Sequence, residues 1–305
     1  MARWRHLISL ADLSSEEISG LLSLAIRIKS ERAEYRAALT GRTLGMVFQK
    51  RSTRTRISFE VGMLELGGAA LFLSADDLQL GRGETVADTA RVLSRYLDGV
   101  MARTNAHQDI LDLAEYGTVP VINGLSDLLH PCQALADYLT LLEHFGSLQR
   151  LKLVYLGDGN NVAHSLLNGA AKLGVHAVVA CPPGYEPDPK IVDAARRDGA
   201  ATGAKIEICH DPREALRGAQ AVYTDVWVSM GQEAEVERRK IELAAYQVNT
   251  DLFACAEPDA VFLHCLPAHR GEEVTDEVVD HERSLVFDQA ENRLHAQKAV
   301  LLELL

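Results

Sequence analysis

The stretch TLGMVFQKRSTRTRISFE, residues 43–60, changes character in the middle. Thr43 to Phe48 is a short apolar run that reads as a buried strand. Four of the next polar residues, Lys50, Arg51, Arg54 and Arg56, are basic. A helix is expected near 54–66, closed by Gly67-Gly68. A strand feeding a helix through such a turn is one step of an open α/β sheet, where ligands bind beyond the carboxyl ends of the strands. The start of a helix offers unpaired N–H groups and positive potential. With the hydroxyls of Ser52, Thr53 and Thr55 and the guanidinium of Arg54, it makes a phosphate cradle. The Gly-Lys pattern of a P-loop is absent.

Outward from this stretch, strands and helices alternate. After 43–48 come strand AALFL (69–73), a helix over 85–97, strand GVMAR (99–103), a helix over 108–116 and strand VPVIN (119–123). A helix follows from His130, with Pro131 suited to its first turn. The pattern restarts at LKLVYLGD (151–158) and continues through HAVVAC (176–181), KIEIC (205–209), AVYTDVW (221–227), AVFLHCL (260–266) and SLVFD (284–288). Short apolar strands between helices imply parallel sheets covered on both faces. The 305 residues suit two domains rather than one core. The expected fold class is therefore α/β, with two doubly wound parallel-sheet domains and a ligand cleft between them. Residues 1–146 form the first and 147–290 the second. The final helix, about 291–305, packs back on something.

Composition narrows the partners. The formal net charge is -12, which disfavours nucleic acid. It is uneven: residues 1–150 hold 16 Lys and Arg against 18 Asp and Glu, and residues 151–305 hold 15 against 25. No apolar run is long enough to span a bilayer, and acidic residues soon interrupt the basic start, so neither a membrane nor a leader peptide is expected. Five scattered cysteines without C-x-x-C spacing argue against a disulfide framework or structural zinc and favour a reducing cytoplasm.

Other polar residues share the cradle's place at strand ends. Arg103 ends 99–103; His130 and Gln133 follow 119–123; Asp158, Asn160 and Asn161 follow 151–157; Asp225 lies in 221–227, with Ser229 and Met230 beyond; His264 and Cys265 end 260–266. S-T-R-T-R (52–56), H-P-C-Q (130–133), D-V-W-V-S-M-G (225–231) and H-C-L-P (264–267), in this order, resemble the aspartate/ornithine carbamoyltransferase family. The first two motifs are shared across that family, and the last two are of the ornithine type. The resemblance runs from about residue 40 into the final helix, through E-N-R (291–293).

The resemblance implies transfer of the carbamoyl group of carbamoyl phosphate to the δ-amino group of L-ornithine, giving L-citrulline and phosphate, in arginine synthesis or breakdown. It assigns carbamoyl phosphate to Ser52, Thr53, Arg54, Thr55, Gln79, Arg103, His130, Gln133, Cys265, Leu266 and Arg293. It assigns ornithine to Asn161, Asp225, Ser229 and Met230, and catalysis to Arg103, His130, Cys265 and Asp225. Arg103 and His130 can stabilise charge growing on the carbonyl oxygen. The amine attacks directly, so Cys265 is expected to orient groups rather than act as a nucleophile. No metal or cofactor is called for. Gln79 is expected to reach a neighbouring subunit, which implies a homo-oligomer, a trimer in this family.

Two other readings compete. GDGNNV (157–162) begins like a dinucleotide fingerprint but lacks its third glycine, and no acidic ribose partner follows strand 176–181. A two-lobed ligand carrier shares the outline but not the converging Arg and His residues. Within the family, aspartate or an acylated ornithine is the alternative acceptor.

Overall fold

The computed structural model describes residues 5–75, 83–228 and 235–305. Helix α1 (Ser15–Ser30) comes first, closed at its start by a reciprocal cap between Ser14 and Glu17. The stretch at 43–60 then folds as β1 (Thr43–Phe48) followed by α2 (Thr53–Glu65). The Ser52 hydroxyl accepts from the Thr55 N–H at 3.2 Å and so caps α2. Gly67 takes φ +84 just past the helix, where a Cβ would come within 2.5 Å of the Arg36 carbonyl oxygen.

The first sheet adds β2 (Ala69–Ser74), β3 (Gly99–Arg103) and β4 (Val121–Leu125) in the parallel order β2-β1-β3-β4. Helices α3 (Val86–Leu93), α4 (His107–Tyr116) and α5 (Pro131–Phe145) complete its run of elements. Val47, Val100, Ala102 and Val121 of the sheet bury against Ala90, Ile110 and Leu113. Each such aliphatic side chain contributes about 1.5–3 kcal/mol when fully buried.

The second sheet holds β5 (Lys152–Leu156), β6 (His176–Ala180), β7 (Lys205–Cys209), β8 (Ala221–Thr224) and β9 (Val261–His264), all parallel, in the order β7-β6-β5-β8-β9. Its helices are α6 (Asn161–Leu173), α7 (Pro189–Thr202), α8 (Pro212–Leu216), α9 (Val236–Leu243), α10 (Thr250–Phe253) and α11 (Asp276–Val279). The chain closes with α12 (Val286–Leu304). Contacts divide it into two units: residues up to Leu139 with Glu291–Leu305, and Thr140–Ala290. The join falls inside α5.

Strand order locates the ligand sites. In the first sheet β1 lies between β2 and β3, so successive connections leave in opposite directions and a crevice opens at the carboxyl ends of β1 and β3. In the second sheet β5 lies between β6 and β8, and the crevice opens at the ends of β5 and β8.

Some elements differ from the sequence reading. SLVFD is not a strand: Ser284 makes one parallel bridge to Phe262, and the helix α12 begins at Val286. A short apolar run does not by itself separate strand from helix. Here the Gln289 N–H bonds to the Leu285 carbonyl, and Asp288 sits in the first turn where the dipole favours it. Helix α3 ends at Leu93, not Leu97, because the Ser94 hydroxyl donates back to the Ala90 carbonyl and accepts from the Thr118 N–H. Strand β4 spans 121–125 rather than 119–123. Strands β8 and β9 stop at Thr224 and His264, before the residues that turn into the site.

Candidate active site

The crevice at β1 and β3 is cationic, with its inner residues buried. Phe48, the last residue of β1, is in register with Arg103, the last of β3. Arg103 is buried, and the Gln49 N–H ties the turn after β1 to its carbonyl at 2.9 Å. Thr55, in the first turn of α2, is fully buried. Its hydroxyl oxygen accepts from the Ser52 hydroxyl at 3.0 Å and from Arg293 Nη2 at 2.7 Å. Arg293 thus returns from α12 to the cradle. Thr53 is exposed and Arg54 half-buried at the mouth.

His130 supplies the start of α5: its carbonyl accepts from the Gln133 and Ala134 N–H groups. The side chain is buried. Desolvation, then the Arg293 and Arg103 guanidiniums, hold its pKa well below the ordinary histidine value. Burial and the two guanidiniums thus favour its neutral form. Gln133 donates from Nε2 to Asp137 Oδ1 at 2.8 Å, which leaves its buried Oε1 as an acceptor without a partner among the described residues. Cys132 next to it is buried, and its thiol is pushed up to about 12 by desolvation. Two buried guanidiniums, a helix start and a buried imidazole are groups whose chemistry suits an anion.

The crevice at β5 and β8 carries a braced carboxylate. Asp225, just past β8 and buried, accepts from Asn160 Nδ2 at 2.8 Å, the Cys265 thiol at 3.0 Å and its neighbour's Val226 N–H at 2.8 Å. A carboxylate has about four acceptor positions, so three bonds orient it and leave capacity for one more donor. Asn160 caps α6, its Oδ1 accepting from the Val162 and Ala163 N–H groups and from the Tyr155 hydroxyl. Asn161 is the first residue of α6, at the same lip.

The Cys265 thiol donates a hydrogen bond to Asp225 Oδ1, which fixes its orientation at the lip. The turn carrying it is set by His264 and Glu273, both fully buried. His264 Nδ1 accepts from the Leu266 N–H at 2.9 Å, so Nε2 carries the proton and donates to Glu273 Oε1 at 3.2 Å. Leu266 has φ 56, the left-handed region, and a cis bond to Pro267. Glu273 and Asn160, which the motif reading gave no role, hold the residues of this lip in place through these bonds. Asn160 carried a signal, its place before an apolar helix; Glu273 carried none locally.

Two groups among the described residues place three potential metal-ligating atoms within 4.8 Å: Asp225, His264 and Cys265, and His269, Glu272 and Glu273. Both nitrogens of His264 are engaged as above, and Lys240 Nζ lies 2.9 Å from Glu272. Gln79, Ser229 and Met230 lie outside the described residues.

Each unit is thus a switch-point α/β sheet, one gathering cationic groups at its crevice and the other a buried, braced carboxylate. That is the equipment of a group-transfer protein for a phosphorylated donor and an amine. Residues 5–143 match the aspartate/ornithine carbamoyltransferase carbamoyl-P binding domain, and residues 149–304 match the Asp/Orn binding domain. The chain belongs to the aspartate/ornithine carbamoyltransferase family. It is 58% identical to the ornithine carbamoyltransferase of Thermococcus kodakarensis over 97% of this chain and 95% of that one. It is also 58% identical to the anabolic ornithine carbamoyltransferase of Pyrococcus furiosus, with the same coverage. A solved structure of the Pyrococcus furiosus ornithine carbamoyltransferase superposes with a TM-score of 0.94, covering 97% of this chain and 96% of that one. An acetylornithine transcarbamylase complexed with acetylcitrulline superposes at 0.89 with 32% identity, covering 99% of each chain.

Proposed function

We propose that this chain is a carbamoyltransferase that moves the carbamoyl group of carbamoyl phosphate to the δ-amino group of L-ornithine, giving L-citrulline and phosphate. The observation that carries this is the pairing of two switch-point crevices of opposite charge in a chain 55–59% identical to proteins named ornithine carbamoyltransferase.

In this reading the unit of residues 1–146, with 291–305, binds carbamoyl phosphate. The α2 start, with Ser52, Thr53, Arg54 and Thr55, holds the phosphate as a leaving group. Arg293 adds charge through its bond to Thr55. Arg103 and neutral His130 polarise the carbonyl oxygen, and Gln133 Oε1 accepts from the carbamoyl NH2. Gln79 contributes from a neighbouring subunit. The unit of residues 147–290 binds ornithine: Asp225 takes the α-ammonium, and Asn161, Ser229 and Met230 take the α-carboxylate. Cys265 and the Leu266 carbonyl align the reacting groups. The reaction requires the two ligands to meet. Attack of the δ-nitrogen lone pair on the carbonyl carbon breaks the bond to the phosphate oxygen, and the proton that the nitrogen loses ends on the departing phosphate.

A homo-oligomer built on trimers is part of this proposal. Ile57, Leu64, Leu71, Phe72, Val92 and Tyr96 are exposed on α2, β2, α3 and the turn after it, an apolar surface that a second copy would cover. A cytoplasmic setting fits five free cysteines and the absence of any membrane-length helix among the described residues. The anabolic name of the Pyrococcus furiosus relative supports a role in arginine synthesis.

The test is a citrulline assay with carbamoyl phosphate and, in parallel, ornithine, aspartate, N-acetylornithine or putrescine. Product with ornithine alone is expected. Product with another acceptor instead would overturn the assignment of the second crevice, and no product from folded oligomer would overturn the reaction.

A further inference from the structure

Asp137 lies near the middle of α5, where an aspartate is a poor helix former and a carboxylate is costly to bury. It is fully buried all the same, and so are Ala136 and Tyr138 on either side of it. No motif gave it a role. Its Oδ1 accepts from Gln133 Nε2 at 2.8 Å, one helical turn back, and Gln133 is 1% exposed. That bond settles which way round the amide sits. A carboxylate has no proton to give, so Gln133 must turn its NH2 to Asp137 and its carbonyl away. The carbonyl oxygen, Oε1, is buried and has no partner among the described residues. It belongs to the residue three places after His130, whose surroundings include the Arg103 and Arg293 guanidiniums.

We infer that Asp137 is a positioning residue that sets donor specificity: by holding the Gln133 amide in one orientation, it makes the first crevice an acceptor for an NH2 group beside the phosphate. This rests on the functional reading above, which puts carbamoyl phosphate there. The carbamoyl NH2 only donates, and it meets Oε1. Acetyl phosphate carries a methyl group in that place and leaves Oε1 buried and unpaired. With the amide reversed, Nε2 would face the carbamoyl NH2, donor against donor. Asp137 itself touches no substrate in this account.

The experiment measures dissociation constants of carbamoyl phosphate and acetyl phosphate, without ornithine, for the wild type, Asp137→Asn and the exchange variant Gln133→Glu/Asp137→Asn. The readout is their ratio, which cancels what the phosphate contributes. The wild type should hold carbamoyl phosphate about 10-fold or more tighter, the scale of one buried acceptor left unpaired. Asp137→Asn frees the amide to turn, because an asparagine donates as well as accepts. Its ratio should fall to within about threefold of one, through weaker carbamoyl phosphate binding. In the exchange variant the NH2 belongs to residue 137 and residue 133 has only acceptor oxygens, so the preference should return. Should Asp137→Asn fail to fold, the exchange variant keeps an NH2-to-carboxylate bond and must still prefer carbamoyl phosphate.

A wild type that makes no citrulline from carbamoyl phosphate and ornithine defeats the functional reading and this inference with it. With an active wild type, any of three results defeats the inference alone. One is a wild-type ratio near one. Another is an Asp137→Asn ratio within about twofold of the wild type, since equal weakening of both phosphates marks a purely structural role. The third is an exchange variant without preference.

Discussion

At the β1–β3 crevice, buried guanidiniums gather near a histidine whose pKa is lowered first by its own burial and then by them; at the β5–β8 crevice, a buried carboxylate is gripped by an amide, a thiol and a backbone N–H. Both lie at the point where strand order reverses in a parallel sheet, so topology supplies the location in each case. The chemistry comes from what each lip carries. In the first unit the charges converge on a helix start and suit an anion that must leave. In the second they hold one carboxylate still for a substrate that must be aligned. One architecture thus serves two opposite binding problems.

The sharpest way to break this contrast is at Arg103. Arg103→Ala should lower kcat about 100- to 1000-fold, as for loss of one oxyanion-stabilising donor. A loss under tenfold with both substrates saturating would mean that charge does not develop at the first crevice. Next in size is pH. A δ-amino group with a pKa near ~10.4 is almost wholly protonated at pH 7. kcat/KM for ornithine should therefore climb about tenfold per pH unit from 7 to 9. A flat profile would point to a protonated amine being delivered and deprotonated inside the site.

Asp225→Asn should raise the ornithine KM about 10- to 100-fold by removing charge from a hydrogen bond to an ammonium. Carbamoyl phosphate KM should stay put, and equal changes in both would erase the division of labour between crevices.

The smallest effect concerns stability. His130 has a folded pKa below its unfolded value of about 6.5, so the unfolded chain binds the extra proton first. The stability this contributes is present above pH 6.5 and is lost as pH falls through 6.5 toward the folded value. His6, His107, His176 and His295 shift the same way, so acid lability below pH 6.5 is expected of the whole chain. His130→Asn should reduce the fall in melting temperature between pH 7 and 5 by about 2–4 °C. An unchanged slope would place the titration elsewhere.

The strand-and-helix alternation was legible because parallel strands are buried on both faces and read as unbroken apolar runs. The capped turn from β1 into α2 was legible because Ser52, Thr53, Arg54 and Thr55 are contiguous. Glu273 was not, since its role exists only once β9 ends and the chain returns nine residues later to His264. SLVFD misled because a five-residue apolar run carries no period, and the bonds of Gln289 that set it are partly to Tyr223 and His264. Helix α1 was missed although its Ser14–Glu17 cap was in plain view.

The first unit is not contiguous along the chain: it is completed by Glu291–Leu305, whose Arg293 bonds to Thr55 and whose Lys298 buries against Glu65 at 2.7 Å. On a ribosome these residues emerge after the whole of the second unit. The half that the messenger encodes first is therefore finished last, and a nascent chain stopped before α12 would hold a complete second sheet beside a first one still lacking its closing helix.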